Sequence, residues 1–163
     1  MKKIYIISIL ILFITSCIYK DGTTFDRNGK MMSAGKYKND KHHGKWIDYY
    51  ENGQIQQISH YKNGKSDGRW IFYDENGILQ EEVYYKDDVE NGQWIMYENG
   101  QIFFVMEYKD GKRDGKHITY NKNGNILSEW YFKNDEKDGK WTYYNEDGSI
   151  DRVEEYKDGE LVK

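Results

Sequence analysis

The sequence predicts an all-β protein, an elongated antiparallel meander of tandem β-hairpin repeats. Three observations support this fold class. A unit of roughly 24 residues recurs along the chain, which is typical of repeat architectures. Each unit places an Asn-Gly or Asp-Gly dipeptide between aromatic and β-branched residues, a hairpin signal. Pro is absent and aromatic residues make up 17% of the chain, which favours short strands and tight turns over disorder.

Charge and cysteine content limit the classes of partner. The formal net charge is −4, and Lys is interspersed with Asp and Glu as on a solvated surface. No concentrated basic face is expected for phosphates, so we predict no nucleic-acid partner. The single cysteine, Cys17, cannot form an internal disulfide.

The first residues are interpreted as a targeting signal. Lys2 and Lys3 precede the apolar run Ile4–Ile14, which is too short to span a bilayer and is typical of a signal peptide, predicted over residues 1–16. The segment Ile14–Cys17 then resembles a bacterial lipobox. The resemblance implies that Cys17 carries two or more acyl chains, which anchor a protein stably in a membrane. The alternative is an ordinary signal peptide with an incidental cysteine.

The same resemblance implies a location. A lipidated Cys17 would hold the protein in a bacterial cell envelope. Ile18, rather than Asp, follows the cysteine, which resembles the pattern of outer-membrane lipoproteins in Gram-negative bacteria. Residues 17–24 are predicted to form the lipidated cysteine and a short polar tether.

The repeat array is predicted over residues 25–163, with units that begin near residues 25, 44, 68, 92, 115 and 139. One recurring position holds Trp in most full units and His117 in the fourth. Further recurring positions are aromatic or branched and are predicted to form the core of the repeats. These core residues are Ile47, Tyr49, Ile55, Tyr61, Ile71, Tyr73, Leu79, Tyr85, Ile95, Tyr97, Ile102, Tyr108, Ile118, Tyr120, Ile126, Phe132, Tyr144, Ile150 and Tyr156.

The hairpin loops can be predicted from their lengths. In every full unit but the third, three polar residues form the turn, as in Glu51–Gly53. This length predicts a type I turn followed by a glycine in the left-handed conformation. Tyr49 then pairs with Ile55, and we expect both to share a face with Ile47 and Tyr61.

The third full unit is one residue shorter. A residue lost inside a strand would turn every later side chain to the opposite face. We therefore expect a two-residue type I′ loop at Asn99-Gly100, which keeps Tyr97 opposite Ile102 and on the same face as Tyr73.

The segment Tyr108–His117 resembles a MORN repeat, with its Tyr-x-x-Gly-Lys-x-x-Gly core. The spacing of roughly 24 residues and the Gly-x-Trp-x-x-Tyr and Asn-Gly pattern resemble the bacterial variant of that family. The resemblance covers nearly all of the chain after the leader. It implies a β-hairpin array that acts as an interaction or membrane-associated scaffold. Some bacterial members are described as antitoxins, a role that a lipidated leader fits poorly.

No arrangement of residues predicts catalysis, a cofactor or a metal. Nucleophile, phosphate-loop and dinucleotide motifs are absent from the sequence, so we predict that the protein is not an enzyme. The histidines are interpreted as loop and surface residues because their spacing does not bring metal ligands together. Acidic residues at the connections are interpreted as turn residues rather than Ca²⁺ ligands. The histidines are His42, His43, His60 and His117. The acidic residues at the connections are Asp87, Asp88, Asp110, Asp135 and Asp158.

Four of the five tryptophans are the main functional candidates. Their rings form a candidate binding face, or they fill the array's own shallow core. These are Trp46, Trp70, Trp94 and Trp141. The first functional hypothesis is a non-enzymatic, membrane-anchored lipoprotein whose array is a scaffold for a protein partner. The alternatives are glycan or cell-wall binding through the Trp/Tyr face, and antitoxin-like inhibition of a partner protein.

Overall fold

The computed structural model describes residues 18–163, which form one antiparallel sheet of 17 strands. The leader and Cys17 lie outside the described residues, so the signal peptide and the lipid anchor stay predictions. The strands are β1 Tyr19–Asp21, β2 Thr24–Phe25, β3 Met31–Lys38, β4 Lys41–Tyr49, β5 Ile55–Lys62, β6 Lys65–Ser66, β7 Gly68–Tyr73, β8 Leu79–Lys86, β9 Val89–Glu98, β10 Gln101–Lys109, β11 Lys112–Arg113, β12 Gly115–Tyr120, β13 Ile126–Lys133, β14 Glu136–Lys137, β15 Gly139–Tyr144, β16 Ile150–Lys157 and β17 Glu160–Leu161.

The strands follow one another across the sheet in chain order. From β3 to β5 and from β7 to β10, each strand pairs antiparallel with the next. The short strands β6, β11 and β14 lie in line with β7, β12 and β15, and each such pair borders the same preceding strand. The predicted meander of tandem hairpins is confirmed.

The sheet begins earlier than the sequence predicted. β1 pairs with the end of β3, and β2 pairs with its start, so residues 19–25 form the first strand of a complete hairpin. The prediction of a tether up to residue 24 is wrong for this segment. It failed because Gly22 occupies the position where later units have a bulky ring, so the segment lost its signature. A Cβ on Gly22 would lie 2.4 Å from the Trp46 ring.

The three-residue hairpin loops have the predicted geometry. Tyr50 donates its N–H to the Gln54 carbonyl at 2.9 Å, and Gly53 donates to the Tyr50 carbonyl at 2.9 Å. Gly53 has φ of 88°, the left-handed conformation that glycine adopts without a Cβ clash. The same pair of hydrogen bonds closes the loops that begin after Asp26, Asp74, Asn121 and Asn145.

The shortened unit also has the predicted loop. Asn99 and Gly100 both have positive φ, 51° and 77°, and Glu98 pairs directly with Gln101. Tyr97 lies opposite Ile102, as Tyr49 lies opposite Ile55. The missing residue is therefore absorbed by the turn and the strand keeps its face, as a type I′ loop allows.

The connections between hairpins are two-residue loops that hold neighbouring units together. Both loop residues have positive φ, as in Asp87 (50°) and Asp88 (73°). Asp88 donates its N–H to the Ser66 carbonyl at 2.9 Å, and its carboxylate accepts the Ser66 N–H at 2.7 Å. Asp135 makes the same contacts with Arg113. The acidic residues at these connections therefore have structural partners.

A bulge in the second strand of each hairpin overturns one expected face. Tyr49 pairs with Ile55, but Asp48 pairs with Gln57, so Gln56 is an extra residue. Because of this bulge, Tyr61 lies opposite Gly44, on the same face as Trp46 rather than on that of Ile47. The prediction that Tyr61 shares a face with Tyr49 and Ile55 is wrong. We call the two sides the tryptophan face, which carries Trp46, and the isoleucine face, which carries Ile47.

Candidate binding faces of the sheet

The tryptophan face provides most of the buried side chains. Trp46 and Trp141 are only 5% and 6% exposed. Two glycines make room for the first of these rings, since a Cβ on Gly35 would lie 2.1 Å from Trp46 Cδ2. The other buried residues of this face are Ser59, Val83, His117, Ser128 and Phe132. A single-layer sheet thus builds its core on one side from rings that cover one another.

These rings form a row along the array. The centroid of Trp70 lies 5.3 Å from those of both Tyr61 and Tyr85, at edge-to-face angles. Trp141 lies between Phe132 at 5.2 Å and Tyr156 at 5.0 Å, with tilted rings. Such pairs each contribute about 0.5–1.5 kcal/mol beyond the burial of their area. Since each ring contacts rings of two units, the row joins successive hairpins.

The indole N–H groups add a polar link between units. Trp46 donates to the Lys36 carbonyl at 3.2 Å, Trp70 to the His60 carbonyl at 3.2 Å and Trp141 to the Tyr131 carbonyl at 3.0 Å. Each acceptor lies ten residues earlier, on the preceding strand. The Trp94 N–H is buried and has no partner among residues 18–163.

The four tryptophans therefore differ in what they can offer a ligand. Trp46 and Trp141 are core residues whose rings and N–H groups are already engaged. Trp70 and Trp94 are half-buried. Stacking on a sugar requires an exposed ring face, so of these four only Trp70 and Trp94 could contribute part of a ring to such a contact.

His117 occupies the tryptophan position of the fourth full unit and is 1% exposed. Its ring stacks on Phe132 with centroids 4.5 Å apart. The prediction that the four histidines are loop or surface residues is wrong. His42, His43 and His60 lie half-buried in strands β4 and β5, and His117 replaces a core ring. Burial lowers the pKa of His117, so the neutral form is favoured in the folded protein. The sequence signal for this burial was that His117 stands at the repeat position that holds Trp in the other full units.

The isoleucine face is less completely buried. Most of the predicted core residues lie here, and their side chains are half-buried. Ile102 and Ile150 are 40% and 55% exposed, so these two do not belong to the core as predicted. Ile150 is exposed because no further strand pairs beside it on β16 among the described residues. Of the predicted core list, Tyr61, Tyr85, Tyr108, Phe132 and Tyr156 lie instead on the tryptophan face.

A buried carboxylate on the isoleucine face was missed by sequence reasoning. Glu82 is 4% exposed and accepts a hydrogen bond from Arg69 Nε at 2.7 Å. Tyr97 donates its hydroxyl to the other Glu82 oxygen at 2.9 Å. Burial, reinforced by the bond to Glu82, raises the pKa of Tyr97 to about 12. The sequence signal for this buried carboxylate was that Glu82 stands at the repeat position where the neighbouring units have Ile58 and Val105.

The same arrangement recurs two units later. Lys116 forms an ion pair with Glu129, and Tyr144 donates its hydroxyl to Glu129 at 3.1 Å. The Lys116 ammonium holds the pKa of Glu129 below its usual value. Each triad joins three consecutive strands and leaves its carboxylate without a free oxygen. The two triads therefore link neighbouring hairpins on the isoleucine face.

Residues 18–163 contain no group of three or more His, Cys, Asp or Glu side chains that could hold a metal ion. Within the same residues, no helix has the length and apolar character needed to cross a bilayer.

Comparison with protein families agrees with the hairpin repeat. The model of the MORN repeat variant matches residues 20–39, 43–63, 66–87, 113–134 and 137–158. The chain belongs to the MORN repeat variant family. The unmatched interval 88–112 contains the unit with the two-residue loop, and its strands pair like those of the other units. No curated protein matches this MORN repeat chain.

Family membership indicates a repeat-based binding scaffold, and members are generally non-catalytic. For this MORN array, the tryptophan face is mainly core. The isoleucine face and the two rows of turns at the strand ends are the surfaces that remain for a partner.

Proposed function

We propose that this MORN repeat protein is a non-enzymatic scaffold that binds a protein partner at the surface of a bacterial envelope membrane. The observation that carries the proposal is the single-layer sheet. Among the described residues nothing covers its isoleucine face, which displays half-buried apolar side chains in regular rows. Such a repeated surface suits the binding of a protein over several units.

The anchor is part of the same proposal. The leader and Cys17 support lipidation, which would hold the array close to the membrane, in the outer membrane if the organism is Gram-negative. The first strand begins at Tyr19, so only Ile18 separates the lipidated residue from the sheet. The array would therefore lie directly at the membrane surface.

The test is crosslinking capture of the full chain from its own membranes, followed by identification of the bound proteins. The expected result is a specific protein that is recovered with the wild type and recovered less with Trp46→Ala, whose array is destabilised. Recovery of no protein above the level of an unrelated lipoprotein would contradict the scaffold function.

The anchor needs a separate control. Cys17→Ser should release the protein from the membrane fraction while its array stays folded. Membrane partition that is unchanged in this variant would contradict the anchor and leave the scaffold function intact.

The glycan alternative has its own readout. Binding of cell-wall fragments through the half-buried rings would change tryptophan fluorescence, and Trp70→Ala would abolish that change in a folded protein. The antitoxin alternative requires a neighbouring toxin gene and activity without the leader.

A further inference from the structure

The largest of the described clefts lies on the isoleucine face, where the last two full units meet. Its volume is about 960 Å³. Glycines begin the strands that border it. A Cβ on Gly115 would lie 2.2 Å from Glu107 Oε2, so this glycine makes room for the Glu107 carboxylate. Gly139 has only Tyr131 Cβ near the position of a Cβ, at 3.6 Å, and adds no side chain to the trough between the two units.

Four lysines line this trough: Lys109, Lys112, Lys133 and Lys140. All four side chains are exposed, and none of their ammonium groups makes an ion pair or a hydrogen bond among the described residues. They lie on β10, β11, β13 and β15, which are successive positions across the sheet.

The acidic residues of the cleft are already engaged. Asp138 forms an ion pair with Lys157 at 3.3 Å. Asp114 accepts the Asn134 N–H at 3.3 Å, and Asp110 accepts a hydrogen bond from Asn91 at 3.0 Å. Only Asp138 is paired with a cation, because the partners of Asp110 and Asp114 are neutral. Four lysines therefore face two carboxylates that keep their charge, and the lining is net positive.

An exposed ring completes the cleft. Tyr131 is 38% exposed and lines the trough beside Lys133 and Lys140. A tyrosine ring presents apolar area at low conformational cost, and its hydroxyl can hydrogen-bond. The cleft thus combines an apolar wall with free positive charges.

The spacing of the charges indicates the shape of the ligand. Neighbouring strands lie about 4.8 Å apart, so lysines on four successive strand positions extend over roughly 14 Å. An extended peptide rises about 3.3 Å per residue and covers that distance in four or five residues. A flat membrane surface fits a recessed trough less well than a single extended chain does.

We propose that this cleft binds an acidic, extended segment of the protein partner, with carboxylates at the lysines and an apolar side chain against Tyr131. The inference rests on the proposed scaffold function and adds the chemistry of the partner's contact segment. Binding that depends on charge pairs at a partly exposed site is weakened by salt.

The test uses a fluorescein-labelled peptide in which Glu alternates with Tyr, and a second peptide with Gln in place of Glu. The full chain should bind the Glu peptide, less well at raised salt, and should not bind the Gln peptide. The triple variant K112A/K133A/K140A should weaken binding about tenfold or more, because opposed charges at close range are lost. The control K62A/K65A/K86A removes three lysines outside the cleft, from strand ends of the same sheet edge, and should bind like the wild type.

Several results would overturn the inference. These are equal weakening by both triple variants, binding of the Gln peptide, or no binding of either peptide. Stronger competition by polygalacturonate or by phosphatidylglycerol vesicles than by unlabelled Glu peptide would also overturn it, and would point to an acidic glycan or a lipid surface.

Failure of the cleft can be told apart from failure of the scaffold function. If K112A/K133A/K140A still captures the same membrane protein as the wild type, the partner binds elsewhere and only the cleft is excluded. If the wild type captures no protein, the scaffold function itself is contradicted.

Discussion

At the scale of single residues, Trp46 illustrates how a one-layer sheet obtains a core. Its ring lies over two glycines, against Tyr37 at 5.0 Å and His42 at 4.2 Å, and its N–H has a backbone acceptor. Gly22 and Gly35 have no side chains that could fill the space if the ring were removed.

Trp46→Ala should therefore cost about 3–5 kcal/mol of unfolding free energy, the range for large buried aromatic residues. Urea denaturation followed by far-UV circular dichroism measures this loss. Ile150→Ala is the control, since Ile150 is 55% exposed, and it should change stability by less than about 0.5 kcal/mol. Equal effects of the two substitutions would contradict the assignment of Trp46 to the core.

His117 makes the stability of the array depend on pH. Its pKa is lowered in the folded state by burial, whereas in the unfolded chain it stays near 6.5. The unfolded state therefore binds a proton first. The contribution of His117 is fully present above pH 6.5 and is lost as the pH falls through and below that value.

Unfolding midpoints in urea at pH 7.5 and pH 5.5 test this dependence. The wild type should lose stability at the lower pH, and His117→Gln, which does not titrate, should lose less. His60→Gln is the control, because His60 is half-buried and lies on the other face. A pH dependence that is the same in wild type and His117→Gln would exclude this role.

At the scale of elements, each hairpin has a turn that tolerates changes in length. The three-residue loops and the two-residue loop at Asn99-Gly100 both leave the recurring pairing of tyrosine with isoleucine unchanged. The strands are different, because β7 is bordered on both sides and every residue in it has a fixed face.

Deletion of Glu51 should therefore be tolerated. It leaves Tyr50 and Gln54 on either side of Asn52-Gly53, the arrangement found at Glu98 and Gln101. We expect a change in unfolding free energy of no more than about 1 kcal/mol, measured by urea denaturation.

Deletion of Phe72 from β7 is the matched comparison. It would turn either Trp70 or Tyr73 to the wrong face and should abolish cooperative unfolding. Similar stability of the two deletion variants would show that the turns do not control the register.

At the scale of the whole molecule, the same side-chain contacts recur in every second unit. The triad of Arg69, Glu82 and Tyr97 recurs as Lys116, Glu129 and Tyr144 two units later. The loop contacts of Asp88 recur at Asp135 with the same spacing. Because contacts are made mainly between neighbours, a pair of units should be removable as a module.

Deletion of residues 65–111 tests this modularity. It joins Gly64 to Lys112, which has the same repeat position as Lys65, and it removes one triad entirely while keeping the other. The shortened protein should stay β-rich and unfold cooperatively at lower denaturant, as followed by circular dichroism.

The comparison is deletion of residues 68–78, which removes β7 alone. β5 and β8 run parallel, so a short loop cannot join them as neighbours, and this variant should not fold. Folding of the half-unit deletion, or unfolding of the two-unit deletion, would contradict the modular description.

The sequence by itself determined the repeat, the positions of the turns and the pairing of Tyr49 with Ile55. These features depend on local chemistry, since Asn-Gly turns fix loop geometry and loop geometry fixes the pairing next to it. The tertiary structure alone decided which face Tyr61 occupies and whether Trp46 is core or contact. The bulge at Gln56 has no compositional signature, because the equivalent positions hold residues as different as Phe103 and Asp151. The burial of a ring likewise depends on the space that neighbouring strands leave for it. Gly22 and Gly35 leave such a space beneath Trp46.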